Sequence, residues 1–195
     1  ADVNIICAGT GAKFEYEEDD RKTVRLSAVQ ERFIVDAASQ NVRTVVVLFA
    51  GGVIDVSPWA DQVAAILYAG FPGMGSDGII ADILTGKMNP CGKTSETFAL
   101  LDEYPASNQN TTCGVTRYGE GLDVGYRYFE TYRKPVLYPF GYGLSYSEFL
   151  YRNLQVKTDG KSVELSFEIE NRSERDGKEI SQVYVHECAP LAYRP

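Results

Sequence analysis

The chain has 195 residues, 44% hydrophobic and 24% charged, which is enough apolar material for an ordinary core in one large or two small domains. Its net charge of -8, from 27 acidic against 19 basic residues with no run of Lys or Arg, gives a nucleic-acid backbone nothing to hold, so no nucleic-acid partner is expected. No apolar stretch reaches the roughly 18 to 20 residues of a bilayer span, so no membrane partner is expected either. Ala1 to Gly9 reads as a strand rather than a signal sequence, and the compartment stays open.

Taken in chain order, Val3 to Cys7 is a short apolar run ending at Ala8-Gly9-Thr10-Gly11, as expected of a buried parallel strand and its turn. From Ser27, a candidate N-cap, apolar residues at Val29, Phe33, Ile34, Ala37 and Ala38 recur at helical spacing, with Glu31 in the first turn. Thr44 to Phe49 (TVVVLF) is β-branched and continuous, which predicts a strand buried on both faces. Pro58 and Trp59 open a short helix, Ala64 to Tyr68 forms another apolar strand, and the glycine-rich turn Gly70 to Gly78 leads into a helix at Ile79 to Leu84. Such alternation builds a mainly parallel sheet covered on both sides, so the class is α/β.

After Gly86 the sequence becomes turn-rich and aromatic. Beyond Tyr151 it changes again: Ser162 to Ile169 (SVELSFEI) alternates by two, a turn follows at Glu174 to Gly177, and Ile180 to Val185 reads as a further strand. These predict an antiparallel β module. The expected division is 1–150 for an α/β domain and 151–195 for the start of a β-sandwich, with both ends of the chain cut inside larger domains.

The four cysteines (Cys7, Cys91, Cys113, Cys188) are widely separated, show no C-x-x-C spacing and accompany a single histidine, His186. No metal site is expected, and a reduced chain is. Two glycine motifs resemble phosphate-binding loops and fail on spacing. In Gly9-Thr10-Gly11 the third glycine position of a dinucleotide fingerprint falls on Phe14, and acidic residues follow. Before Gly92-Lys93-Thr94, five residues separate Gly86 from Gly92 where a P-loop needs four, and Pro90 intrudes. No cofactor is expected.

The acidic stretch Glu15-Tyr16-Glu17-Glu18-Asp19-Asp20-Arg21 follows the carboxyl end of a predicted parallel strand, where open α/β sheets place ligand sites. Five carboxylates in six positions repel one another unless some are paired or protonated. A carboxylic acid held protonated near neutral pH is what a general acid requires, whereas a solvated acidic turn with Asp20 paired to Arg21 is the structural alternative.

Taken together, this stretch, Leu26 and Gln30, Gly86 to Lys93 (GKMNPCGK), Tyr118 to Phe129 (YGEGLDVGYRYF) and Pro139 to Tyr146 (PFGYGLSY) resemble the carboxyl-terminal region of glycoside hydrolase family 3. The resemblance implies a partial (α/β)6-sandwich followed by a truncated, fibronectin type III-like antiparallel β-sandwich. It also implies retaining hydrolysis of terminal β-linked sugars, of β-glucosidase or β-xylosidase type, with an Asp nucleophile on a separate (β/α)8 barrel that would be this chain's missing partner. The substrate would be a β-linked oligosaccharide or glycoside. The family's acid/base segment reads approximately E-G-x-D-R. Aligning its end with Asp20-Arg21 places the acid/base at Glu17, with Glu15 in reserve, because Glu18 stands where the family has glycine and a position favouring glycine can need positive φ. A non-catalytic carbohydrate-binding or scaffold fragment of the same fold is the alternative, and homo-oligomerisation stays open. Thr94-Ser95 in place of a commoner Leu-Pro marks a divergent member.

Several features have structural readings as well as functional ones. Trp59, the sole tryptophan, could stack on a sugar ring or pack in a core. Phe140, Tyr142 and Tyr146 are read chiefly as anchors, and Arg127 as a buried cation among aromatics. Asn110-Thr111-Thr112 and Asn171-Arg172-Ser173 are glycosylation sequons.

Overall fold

A computed structural model of the chain describes residues 1–11, 14–16, 21–105, 115 and 118–185. Two compact units are present: residues 1–74 with 94–141 in the first, and 75–93 with 142–185 in the second.

The first unit is built on three parallel strands in the order β1 (Asn4–Gly9), β2 (Thr44–Phe49) and β3 (Ala65–Tyr68). Asn4 aligns with Thr44 and Val45 with Ala65. The central strand is dry, with Thr44, Val46, Val47 and Leu48 at most 1% exposed, as a continuous β-branched run requires when both neighbours are strands. The outer strand β1 is only half covered. Ile6 and Ala8 face the core, whereas Ile5 is 54% exposed and Cys7 is exposed too, so the expected burial of this strand holds for one face only.

Helix α1 (Ala28–Gln40) packs on that sheet and starts where the capping pattern requires. The Ser27 Oγ accepts the Gln30 N–H at 3.3 Å, and Arg25 meets Glu31 at 2.7 and 2.6 Å. The Gln30 amide then joins helix to strand, accepting from Gly9 N (2.9 Å) and donating to Gly9 O (3.0 Å). Ile34 and Ala38 are buried, but Val29 and Phe33 remain 79% and 61% exposed. The expected apolar residues therefore split into two stripes: one residue step turns a helix by about 100°, which carries 29/33 off the face of 34/38. Trp59, fully buried, joins Ile34, Val46, Leu48 and Ile54 in one core cluster. It precedes a single 3₁₀ turn, Ala60–Gln62, so core packing is its role here.

A short helix α3 (Tyr126–Thr131) inserts Phe129 against Tyr104, with ring centroids 5.3 Å apart. Arg127 on the same helix is exposed and lies over the Tyr126 ring at 5.3 Å. The expected burial of Arg127 fails because six residues make less than two turns and bury one side chain. Phe140 stacks on Tyr126 at 5.1 Å.

The second unit combines helix α2 (Ser76–Leu84) with the antiparallel hairpin β4 (Phe149–Thr158) and β5 (Val163–Asn171). The helix begins within the glycine-rich turn, capped by Gly75 at φ 78. Tyr146 anchors here: its hydroxyl donates to Ile83 O at 3.0 Å and Arg175 lies over its ring. Strand β4 escapes period-two reading because a register shift between Arg152 and Gln155, with Asn153 at φ 55, moves the apolar residues from 149/151 to 154/156. A bulge adds a residue and reverses the phase of alternation. Ile180 to Val185, expected as a strand, forms no ladder among the described residues. Alternation alone does not make a ladder, and Ile180, Val183, Tyr184 and Val185 stay exposed.

Asn89 is the polar hub of this unit. Its Nδ2 donates to Ser147 Oγ (2.8 Å) and Asp176 O (2.9 Å), while its Oδ1 accepts from Ser145 Oγ and Tyr146 N, both at 2.9 Å. All four hydrogen-bonding positions of the amide are used. Asn89→Ala should destabilise this unit by about 1 to 3 kcal/mol, the range for leaving partly buried polar groups unpaired. A fall in melting temperature together with faster amide exchange at Tyr146 and Ser147 would show it, and an unchanged melt would refute it.

Candidate active site

The carboxyl ends of β1 and β2 bring Glu15 and Arg21 together with the loop following β2. Strand β1 ends against β2 so closely that a Cβ at Gly9 would sit 1.9 Å from Phe49 O, which is why glycine is required there. The chain then turns, with Phe14 N and Glu15 N both donating to Gly11 O at 2.7 and 3.2 Å. That turn delivers the Glu15 side chain to the loop following β2. Glu15 Oε2 accepts the Gly51 N–H at 3.0 Å, and its Oε1 lies 3.1 Å from Arg21 Nη1. Arg21 in turn donates through Nη2 to Val53 O at 3.2 Å. Tyr68, at the end of β3, closes the same loop from the other side, its hydroxyl donating to Ala50 O (2.8 Å) and Gly52 O (3.3 Å).

Of the two carboxylates singled out in the sequence, Glu15 is thus held by a hydrogen bond at Oε2 and at Oε1 by a charge contact with Arg21 that lacks hydrogen-bond geometry. Glu17, with Glu18, Asp19 and Asp20, lies outside the described residues. So do the Asn110 sequon, His186, Cys113 and Cys188. Arg21 has Glu15 as its described ion-pair partner.

Glu96 was not singled out by the sequence and belongs to this cluster. A Cβ built on Gly52 would lie 3.6 Å from Glu96 Oε1 and 3.3 Å from Arg21 Nη2, so both side chains flank one glycine. Burial pushes the Glu96 carboxyl up from its ordinary value, and Arg21 opposes that rise. Burial likewise raises the Tyr68 hydroxyl, with Glu96 and Glu15 adding to the effect. Glu96 as a residue keeps an exposed flank while its carboxyl is partly desolvated, which keeps the energetic consequence small. A lone Glu between Ser95 and Thr97 carries no sequence pattern that would have announced it.

The sign of the pH effect follows. Folding favours the protonated Glu96, so its contribution is present below the ordinary carboxylate value and is lost as pH rises through the elevated folded value. Relative to wild type, Glu96→Gln should therefore gain stability as pH rises through the elevated folded value, with little difference at the acid end. Melting temperatures of both proteins across pH 3.5 to 7 would test this; a difference independent of pH would sink it.

Beside the loop, a cavity of about 330 Å³ opens between the end of β1 and the start of α1, bordered by Thr10, Phe14, Tyr16, Arg21, Lys22 and Gln30. Phe14 and Tyr16 are 58% and 52% exposed, and the buried Thr10 Oγ1 has no hydrogen-bond partner among the described residues. Aromatic faces with hydroxyl and amide groups nearby can take a polar ring compound. The glycine motifs serve other ends: Gly9 is bonded by Gln30 through both backbone groups, and α1 starts only at Ala28. Lys93 donates to Gly143 O at 2.7 Å and pairs with Glu179 at 3.5 Å. Among the described residues no cluster of His, Cys, Asp or Glu could hold a metal ion, and no helix is long and apolar enough to cross a membrane.

Comparison with known proteins places this architecture. The chain is 36% identical over its whole length to thermostable β-glucosidase B of Acetivibrio thermocellus, covering 26% of that protein. It is 37% identical over 95% of its length to exo-α-(1→6)-L-arabinopyranosidase of Bifidobacterium longum, covering 25% of it. The crystal structure of a Bifidobacterium adolescentis family 3 β-glucosidase superimposes with a TM-score of 0.85 at 36% identity, over 89% of this chain and 26% of that one. The chain spans about a quarter of the length of these relatives. The family model described as glycosyl hydrolase family 3 C-terminal domain matches residues 1–146, and the chain belongs to that family.

Proposed function

We propose that this chain is the carboxyl-terminal part of a retaining β-glycosidase, of β-glucosidase or β-xylosidase type, that hydrolyses terminal non-reducing β-linked sugars. In this reading Glu17 is the acid/base, and the aspartate nucleophile stands on a (β/α)8 barrel outside this chain. The observation that carries the reading is the placement of Glu15 and Arg21, which flank Glu17 in sequence and sit at the carboxyl end of the parallel sheet, beside an aromatic-bordered cavity. The resemblance of the stretch from Glu17 to Arg21 to the family's acid/base segment assigns the role to Glu17, and the hydrogen bond of Glu15 to Gly51 and its charge contact with Arg21 support placing Glu15 in reserve. Residues 1–150 would then be the α/β-sandwich module and 151–195 the fibronectin-like one.

In such a mechanism Glu17 protonates the glycosidic oxygen as it leaves, then deprotonates the water that releases the glycosyl-enzyme. The two carboxyls would stand about 5 to 5.5 Å apart, too close for an intervening water and therefore suited to retention. The test is the anomer first formed by the full-length protein from an aryl β-glucoside, followed by proton NMR before mutarotation. Appearance of the β-anomer is expected; the α-anomer appearing first would overturn the retaining assignment.

A further inference from the structure

Two residues bracket the proposed acid/base in sequence and meet in space. Glu15 and Arg21 face each other at 3.1 Å, and each is also tied to the loop after β2: Glu15 to Gly51 N at 3.0 Å and Arg21 to Val53 O at 3.2 Å. Their side chains are only 14% and 21% exposed, so the pair is screened far less than a surface salt bridge. The receiving loop is itself held, since Tyr68 donates to Ala50 O and Gly52 O. It also has no spare room: a Cβ at Gly51 would lie 2.9 Å from Glu15 Oε2 and 2.7 Å from the Phe71 ring. Tying the two residues on either side of a proton donor to one loop is a way to place that donor accurately.

Resting on the acid/base reading of Glu17, we infer that Glu15 and Arg21 are positioning residues, a cross-tie that joins the two flanks of the acid/base to the loop following β2. Neither residue transfers a proton. Arg21 supplies a planar fork that can engage a carboxylate and a carbonyl at once, a geometry a lysine cannot copy.

The experiment uses the full-length enzyme with Arg21→Ala, Arg21→Lys, Glu15→Ala, Glu15→Gln and Gly51→Ala, and Glu17→Ala as reference, each assayed on a disaccharide and on an activated aryl glycoside. Loosening the donor should lower kcat on the disaccharide by about 10-fold to 100-fold, the scale of a small misplacement, and on the activated substrate by less than about 3-fold, with KM little changed. Added azide should not restore turnover, because the Glu17 carboxyl is still present. Guanidinium ion should partly restore Arg21→Ala, and Glu15→Gln, which keeps an acceptor for Gly51 N–H, should retain more activity than Glu15→Ala. Variants that are folded by thermal melt yet lose activity equally on both substrates would reduce the pair to a general structural role and overturn the inference. Azide rescue of Glu15→Ala would overturn it by making Glu15 the acid/base itself. Wild-type rates in the Glu15 and Arg21 variants beside a crippled Glu17→Ala would sink the cross-tie alone, whereas a fully active Glu17→Ala would sink the acid/base reading and the cross-tie with it.

Discussion

Replacing Glu17 with alanine in the full-length protein is expected to slow disaccharide hydrolysis by roughly 100-fold to 10,000-fold, the value of positioned general acid catalysis. The loss should be much smaller for aryl glycosides with activated leaving groups. An oxygen that departs as a strong base needs a proton in the transition state, whereas a stabilised phenolate does not. Removing the side chain also takes away the base that activates water in the second step, so a small anion can enter: azide should accept the glycosyl group and partly restore turnover as a glycosyl azide. Rates on a graded series of aryl glycosides, with and without azide, measure both effects. If Glu17→Ala cleaves a disaccharide at nearly the wild-type rate, the acid/base is elsewhere, and Glu18 in the family's usual glycine position is the first reason to shift the register.

The second large effect is expected at Trp59. It is fully buried and packs in the cluster of Ile34, Val46, Leu48 and Ile54 that joins α1 to the parallel sheet. Trp59→Ala should therefore cost about 3 to 5 kcal/mol, the usual toll for deleting a large aromatic from a core that cannot fully close the void. Trp59→Phe should cost less. The indole Nε1 is buried without a hydrogen-bond partner among the described residues, so the phenyl ring removes a desolvated donor along with some volume. Urea denaturation reads the difference, since at a slope of about 1 to 3 kcal/mol per molar the alanine variant should unfold more than 1 M earlier. A midpoint for Trp59→Ala within a few tenths molar of wild type would show that the indole is not the centre of this core. Sugar affinity of a folded Trp59→Phe should be unchanged, because no face of the ring reaches solvent.

The features that were legible in the chain itself are those whose cause is local. TVVVLF reads as a central strand because a run of β-branched residues without polar interruption must be covered on both sides, and Thr44 and Val46 to Leu48 are covered. Ser27 reads as a helix start because a hydroxyl there can accept an N–H three residues on. The family could be identified because VGYRYF and PFGYGLSY combine rare residues in a fixed order, and order survives without coordinates. Strand β4 was hidden because a bulge at Asn153 reverses the phase on which alternation depends. Ile180 to Val185 shows the converse, alternation that forms no ladder among the described residues.

At the site the division is sharper. Sequence by itself determined that a carboxylate-rich loop follows the first strand, since that needs only a strand, a glycine turn and a count of acids. Tertiary structure decided which carboxylate is already committed. Glu15 meets Gly51, 36 positions away, and Arg21 meets Val53, 32 away, because parallel pairing of β1 with β2 brings their carboxyl ends side by side. It also brought in Glu96, whose raised carboxyl depends on desolvation near Gly52 and Tyr68. Ion pairing and desolvation act over a few ångströms of space and take no account of chain distance, so composition could announce the crowding of charge while only the fold could distribute it.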